Sequence, residues 1–308
     1  MEFKKFSSLE NTYRQNLIDK VQYEGKDGGE WVVTEKLHGA NFSFWCDGKE
    51  VKVASRSQFV DGTFYNCQAV INKYSQGILG WCVRNDIKEL VIYGELLGDG
   101  VQKEVKYGQR DFRAFDVVID GVVQDKLGAV SIAKDCGLLF SPVIKVGSFK
   151  ECLGLPNTFQ SWLTPDELIN EDNFAEGLVI EPVNPSYLNN GNRIYFKNKT
   201  PAFSEKKRVP REKKVFDLTE DESELLNDLL QYNTPQRVSN VISKIGNISN
   251  KDFGKIMGLT CQDIFEEFTK ETEREPKKEA EESWSHFVKL LQAEVSKTVR
   301  EEFLKHID

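Results

Sequence analysis

The sequence predicts an α+β protein in two parts: antiparallel sheets with flanking helices over residues 1–216, then a small all-helical domain over 217–308. Two observations carry the prediction. From about residue 30 to 200, short runs of β-branched and aromatic residues are punctuated by Gly, Asp and Asn, which is the texture of strands. Past the basic stretch that follows, capping residues stand ahead of Leu-rich segments, which is the texture of helices.

The first part is read in chain order. Trp31 to Glu35, Ala40 to Cys46 and Glu50 to Arg56 are expected strands, the last two joined at Asp47-Gly48, a dipeptide favoured in two-residue hairpins. Leu90 to Leu97, Asp111 to Ile119, Gly177 to Glu181 and Arg193 to Lys199 continue the series, with helices expected near Asn66 to Val83 and Gln124 to Cys136. In the second part, helix starts are expected at Thr219, Pro235, Ser249 and Thr260, the last with Asp263 as a variant capping box. A single amphipathic helix is expected from Pro276 to His306.

Composition narrows the classes. The chain is 39% hydrophobic and 29% charged, as soluble proteins are, and it contains no apolar run of about 18 residues. MEFKKFSSLE lacks the apolar core of a signal peptide, so a cytoplasmic protein is expected. The six cysteines form no CxxC pair and the three histidines no zinc-spaced cluster, which predicts buried reduced thiols. A net charge of −8 argues against a protein that coats nucleic acid. Between Arg193 and Lys214, however, nine basic residues face two acidic ones, so phosphates can be met at one place while the remaining surface repels them.

VVTEKLHGANFSF, residues 32–44, sets Lys36 at a strand end beside a glycine. Alone, such a lysine is most often structural or solvated. Lys197 and Lys199 are alternate residues of one strand and share a face; brought near Lys36, they would disfavour its proton and leave a nucleophilic amine. Glu95 in VIYGELLG and Glu176 in FAEGLVIEP stand beside glycines, where a carboxylate can meet a ribose hydroxyl or a magnesium ion. Phe115 can stack on a base, although a core position is the commoner fate of such a residue, and Arg56 can contact ribose or phosphate.

In order, these segments resemble the covalent nucleotidyltransferases, and Lys36-Leu37-His38-Gly39 with Asn41-Phe42 resembles the RNA ligase 2 family within them. The similarity spans nearly the whole chain: FKKFSSLEN, YGELLGDGVQKEVKYGQRDFRAFDVV, NPSYLNNGNRIYFKNK, FSEKK and RVSNVISKIGNISNKDFGKIMGLTCQDIFEE. The resemblance implies a nucleotidyltransferase (ATP-grasp-like ligase) domain followed by the family's helical domain. It implies ATP and Mg2+ (or Mn2+) as cofactors and double-stranded or nicked RNA as partner; a monomer is expected because no exposed apolar repeat demands a partner.

By resemblance, Lys36 would take AMP from ATP, with the Glu35 backbone beside the adenine and Phe115 stacked on it. His38 and Asn41 would lie near the reacting phosphates, Arg56 and Glu95 at the ribose, Glu176 at the metal, and Lys197 and Lys199 on the AMP phosphate. Arg237, Asp263 and Glu267 fall where the family needs residues for ligation, at the RNA end. The chain departs from the family's phage member at Phe6, Thr34 and Glu181, each replacing a polar or positive side chain. Other readings are a DNA ligase or capping-type enzyme of the same superfamily, which usually carries an OB-fold barrel where this chain reads as helices, and a catalytically silent protein that binds nucleotide or RNA ends.

Overall fold

The alternating segments of the first half become two sheets. The computed structural model describes residues 1–204 and 218–306. The chain divides into the units Met1–Ala202 and Phe203–Asp308. The expected boundary at 216/217 and the basic residues Lys206, Lys207, Arg208, Arg211, Lys213 and Lys214 fall outside the described residues.

In chain order the first unit contains β1 (Glu10–Asn11), α1 (Gln15–Tyr23), β2 (Trp31–Lys36), β3 (Ala40–Cys46), β4 (Val51–Ser55), β5 (Phe59–Val60), α2 (Gln68–Arg84) and β6 (Leu90–Leu97). It continues with β7 (Asp111–Ile119), β8 (Val122–Val123), α3 (Lys126–Asp135), β9 (Leu139–Phe140), β10 (Val143–Gly147), α4 (Phe149–Leu153), β11 (Gly177–Pro182) and β12 (Phe196–Lys199). One sheet has five strands in the order β1-β12-β11-β2-β10; the other has seven, β5-β4-β3-β6-β7-β8 with β9 against β7. All pairings are antiparallel except β1 with β12 and β7 with β9, which are parallel edges.

Strand alternation then sorts the side chains. In the five-stranded sheet Trp31, Val33, Leu178, Ile180 and Phe196 share a face and pack with Val21 of α1 and with Phe149 and Cys152 of α4. Burial of each such large side chain stabilises the fold by about 1.5–3 kcal/mol. The register puts Thr34, Lys36, Val179, Glu181, Lys197 and Lys199 on the other face. The seven-stranded sheet buries Phe42, Phe44, Ile92, Leu96 and Phe112 against α2 and α3. Its opposite face contributes Trp45, Val91 and Tyr93 to a third cluster with Phe6 and with Tyr195, the residue just before β12. The departure at Phe6 is thus an apolar fit, its ring 5.0 Å from those of both Tyr93 and Phe115.

Several expectations need correction. β3 and β4 are joined by four residues, not two, because the Asp47 side chain accepts from the backbone of Lys49 and Glu50 and sets a wider turn. The last strand begins at Phe196, and Arg193 ahead of it pairs only with Tyr187 in an isolated bridge. The sequence reading missed β1, β5, β8, β9, β10, α1 and α4.

The second unit contains α5 (Glu220–Leu230), α6 (Pro235–Ile245), α7 (Phe253–Thr272), α8 (Pro276–Glu279) and α9 (Trp284–Phe303). Thr219 and Glu222 cap α5 reciprocally, and Thr234 caps α6 with Pro235 in its first turn. Thr260 does not start a helix. A capping box of Ser249 and Asp252 lies ahead of α7, whose buried stripe Ile256, Thr260, Ile264 and Phe268 runs through the expected break at helical spacing. Nor is the last segment one helix. The Ser283 backbone N–H donates to the Ala280 carbonyl at 2.8 Å, its hydroxyl lies within hydrogen-bond reach of Glu222, and a 3-10 turn over Glu281–Ser283 separates α8 from α9. Phe287, Leu291, Val295 and Val299 of α9 complete this unit's core with Leu225, Leu229, Val238 and Val241. All six cysteines are free and buried, as expected, and no helix among the described residues is long and apolar enough to cross a membrane.

Candidate active site

Lys36 is the last residue of β2. Its cross-strand partner is Gly177, whose own partner on the far side is Lys199, so lysine, glycine and lysine form one row. Gly177 has φ +151°, and a Cβ there would lie 2.1 Å from the Asn198 carbonyl oxygen. Only glycine leaves space between the two lysines. Glu176, just before it, accepts from Lys36 Nζ at Oε2 and from Lys199 Nζ at Oε1, each at 2.8 Å. The Glu176 and Lys199 side chains are buried, whereas Lys36 keeps 19% exposure. Lys197 lies one row down the same face, beside Val179 and Thr34.

The repulsion expected among the lysines therefore has a counterweight in Glu176. Burial alone would push this carboxyl up, but the charges of Lys199 and Lys36 and the His38 hydrogen bond prevail and hold it well below the usual carboxylate range.

The turn after Lys36 is set by Gly39, where a Cβ would meet the Leu96 carbonyl oxygen at 2.2 Å, so the chain lies directly on β6. This places His38, buried at 3% exposure, between two carboxylates. Its Nδ1 lies 3.5 Å from Glu176 Oε2 and its Nε2 2.8 Å from Glu104 Oε2. Burial works to lower the His38 pKa, yet the hydrogen bonds and charges of Glu104 and Glu176 raise it above its ordinary value. The same bond lowers the Glu104 carboxyl to about 2. The His38 backbone N–H donates to the Tyr107 hydroxyl at 3.0 Å.

In the seven-stranded sheet, Asn41 of β3 pairs with Glu95 of β6. Burial pushes the Glu95 carboxyl up to about 7; Glu176 adds to the rise, while the charges of Lys36, His38 and Arg56 oppose it. Arg56, just past β4, donates to Ser8 Oγ at 2.9 Å. Phe115 occupies a β-bulge: pairing passes from Tyr93–Asp116 to Gly94–Ala114 and leaves it without an opposite residue.

Glu35 turns its side chain away from Lys36, to the other face of the sheet. Its carboxylate accepts from Ser161 Oγ at 2.6 Å and from the Trp162 backbone N–H at 2.8 Å. Burial raises its pKa, and the Ser161 and Trp162 bonds work against the rise. Its backbone N–H donates to the Pro142 carbonyl, and its own carbonyl accepts from Ser141 Oγ.

The first unit thus joins Lys36, His38 and Lys199 to Glu176, with Glu95 close enough to feel their charges. Glu104 and Tyr107 belong to the same network, Ser161 holds Glu35 on the opposite face of the sheet, and all three were missed by sequence reasoning. Their contacts with β2 and the turn after it span 66 to 126 residues, so no periodicity marks them. Arg237, Asp263 and Glu267 lie in the helical unit. Arg237 is buried at 2% exposure, donates from Nε to the Tyr232 carbonyl at 3.0 Å and pairs with Asp263, which also accepts from Lys244 Nζ at 3.0 Å.

A lysine at a strand end, held by a carboxylate that also binds a second lysine, is an arrangement that can serve nucleophilic chemistry. The RNA ligase family model matches residues 29–199, and the T4 RNA ligase 2 C-terminal model matches residues 215–303. The chain belongs to the RNA ligase family, of the RNA ligase 2 kind. Among solved structures it is similar to Naegleria gruberi RNA ligase, as determined with PPi (20% identity, TM-score 0.48) and as a mutant with ATP and Mn (19% identity, TM-score 0.48). Each similarity covers 65% of this chain and 57% of the other, so the chain spans under two thirds of those ligases' length.

Proposed function

We propose that the protein is an ATP-dependent RNA ligase that seals 3′-OH/5′-phosphate breaks in double-stranded or splinted RNA. The observation that carries the reading is the Lys36–Glu176–Lys199 bridge, with 2.8 Å on each side and Lys36 the most exposed of the three. The Lys36 amine, once unprotonated, attacks the α-phosphorus of ATP. An N–P bond forms, the bond to the β-phosphate oxygen breaks, and pyrophosphate leaves. AMP then passes to an RNA 5′-phosphate, giving a pyrophosphate-linked adenylate and the free amine, and a 3′-hydroxyl displaces AMP as the phosphodiester forms.

All three steps are displacements at phosphorus, for which alignment and charge supply most of the acceleration. Lys199 and Lys197 would hold the transferred phosphate, and His38, whose pKa Glu104 and Glu176 raise, would face the departing one with Asn41. Arg56 and Glu95 would take the ribose, and Phe115 and the Glu35 backbone the adenine. Among the described residues no group of three or more His, Cys, Asp or Glu side chains forms a metal cage. Glu176 is the carboxylate we assign to Mg2+ or Mn2+, which would share it with substrate phosphates and waters, as magnesium commonly does. The bound ion would draw charge from the phosphate oxygens.

An A-form duplex is met through its phosphates and 2′-hydroxyls, in keeping with the basic stretch near Arg193–Lys214. In the helical unit, Arg237 would serve RNA-end recognition through the Asp263 it holds, with Glu267 nearby on α7.

Incubation with magnesium and α-labelled ATP is expected to leave acid-labile label on Lys36. An unlabelled wild type, or label persisting in Lys36→Ala, would overturn the reading. Nicked duplexes with RNA or DNA on the 3′ side then decide the substrate, RNA being expected to seal faster.

A further inference from the structure

Four charged side chains that this chemistry does not use are buried together on the same face as Lys36. Lys126, the first residue of α3, donates from Nζ to Glu181 Oε1 at 2.6 Å and to the Phe115 carbonyl at 2.7 Å. Arg193 donates to the second Glu181 oxygen at 2.9 Å and pairs with Asp116. The four side chains are at most 10% exposed, and two positive charges balance two negative ones.

The cluster crosses between the sheets. Asp116 and Phe115 belong to β7 and Glu181 to β11; the Lys126 backbone N–H also donates to the Val183 carbonyl, just past β11, at 2.8 Å. Three features mark the arrangement as more than packing. A lysine in the first turn of a helix opposes the helix dipole. Burying four charges is no more stabilising than filling the same space with apolar groups. And the carbonyl that Lys126 satisfies belongs to the bulged residue, which lacks a ladder partner. Glu181 stands four residues along β11 from Gly177, about 13 Å at a strand's rise, so the cluster and the catalytic lysines bound a span of nucleotide dimensions.

We propose that Lys126, Glu181, Arg193 and Asp116 are positioning residues that hold the Phe115 ring at stacking height over the nucleotide base, and so set the grip on the base and not on the phosphates. This rests on the adenylate reading and deepens it. The test is the charge-balanced variant Lys126→Met/Glu181→Gln, assayed for Lys36 adenylylation against ATP concentration, with inorganic tripolyphosphate as competitor. The KM for ATP is expected to rise about tenfold, within the range that loss of base stacking costs, while kcat and the tripolyphosphate inhibition constant stay within about twofold. An unchanged KM overturns the inference, as does a parallel rise in both constants, which would mean general loosening.

If the double variant fails to fold, Glu181→Gln alone decides, with about a threefold rise in KM expected and no rise overturning. Lys126→Arg, which keeps a donor and the charge, is expected to recover most of the affinity for ATP, and failure to do so counts against positioning. A wild type that never labels Lys36 fails the adenylate reading itself. A wild type that labels, with no change in the variants, fails only this inference.

Discussion

Two charged clusters lie on one face of the five-stranded sheet and differ in what they leave open. Around Glu176 the side chains of Lys199 and His38 are buried but Lys36 keeps 19% exposure. Around Glu181 every member is shut away, and each carboxylate oxygen accepts from a protein cation. Buried charge alone therefore does not locate chemistry in this molecule. What distinguishes the cluster proposed to be reactive is a partly exposed amine beside carboxyl and imidazole groups shifted in opposing directions.

The largest effect expected to separate the clusters is that of Lys36→Ala, which should abolish labelling by α-labelled ATP and leave the melting temperature nearly unchanged. Next, Glu181→Ala strands two buried cations and should cost about 3–5 kcal/mol in denaturant unfolding. Glu176→Ala should cost clearly less, because Lys36 reaches water, yet lower adenylylation by about 10²-fold or more. Equal stability losses would erase the distinction drawn between the two clusters.

A smaller effect separates them by pH. The Glu95 carboxyl is raised to about 7, so the stability it contributes is complete below its unfolded value near 4.5 and is lost as pH rises through 7. The raised His38 acts in the same direction, its contribution being complete below its unfolded 6.5 and lost as pH rises through its folded value. Glu104, lowered to about 2, loses its contribution only as pH falls below about 4.5. Calorimetry of the nucleotide-free protein should therefore show a melting temperature that rises from pH 7.5 to 5.5, with a flatter slope in Glu95→Gln; an unaltered slope would remove Glu95 from the account. Arg193 stays charged across this window, since burial disfavours its charge but Asp116 and Glu181 raise it further. Least of all, Thr219→Ala should cost the helical unit about 1 kcal/mol through its lost cap, with adenylylation unchanged.

Much of this was legible in the sequence where the cause is local. β2, β3, β6 and β7 follow from alternation, and α5 and α6 from Thr219 and Thr234 with the residues after them. Lys36, Glu176 and Lys199 were each singled out, but the carboxylate bridge between the lysines was not, because it depends on the β2–β11–β12 register. Glu104 and Tyr107 reach His38 from a loop without periodicity. Thr260 misled because its hydroxyl type suggests a cap while its place every fourth residue beside Ile256 and Ile264 puts it in the core. Glu181 read as a lost positive contact, and the structure shows it re-paired with Lys126 and Arg193.

The parallel pairing of β1 with β12 joins Glu10 to Phe196, the opposite ends of the first unit. Closing so long a loop is slow and comes late in folding. A nascent chain that already carries Lys36 has neither Glu176 nor Lys199 until the last strands emerge, so the bridge between the two lysines forms only when the sheet is finished.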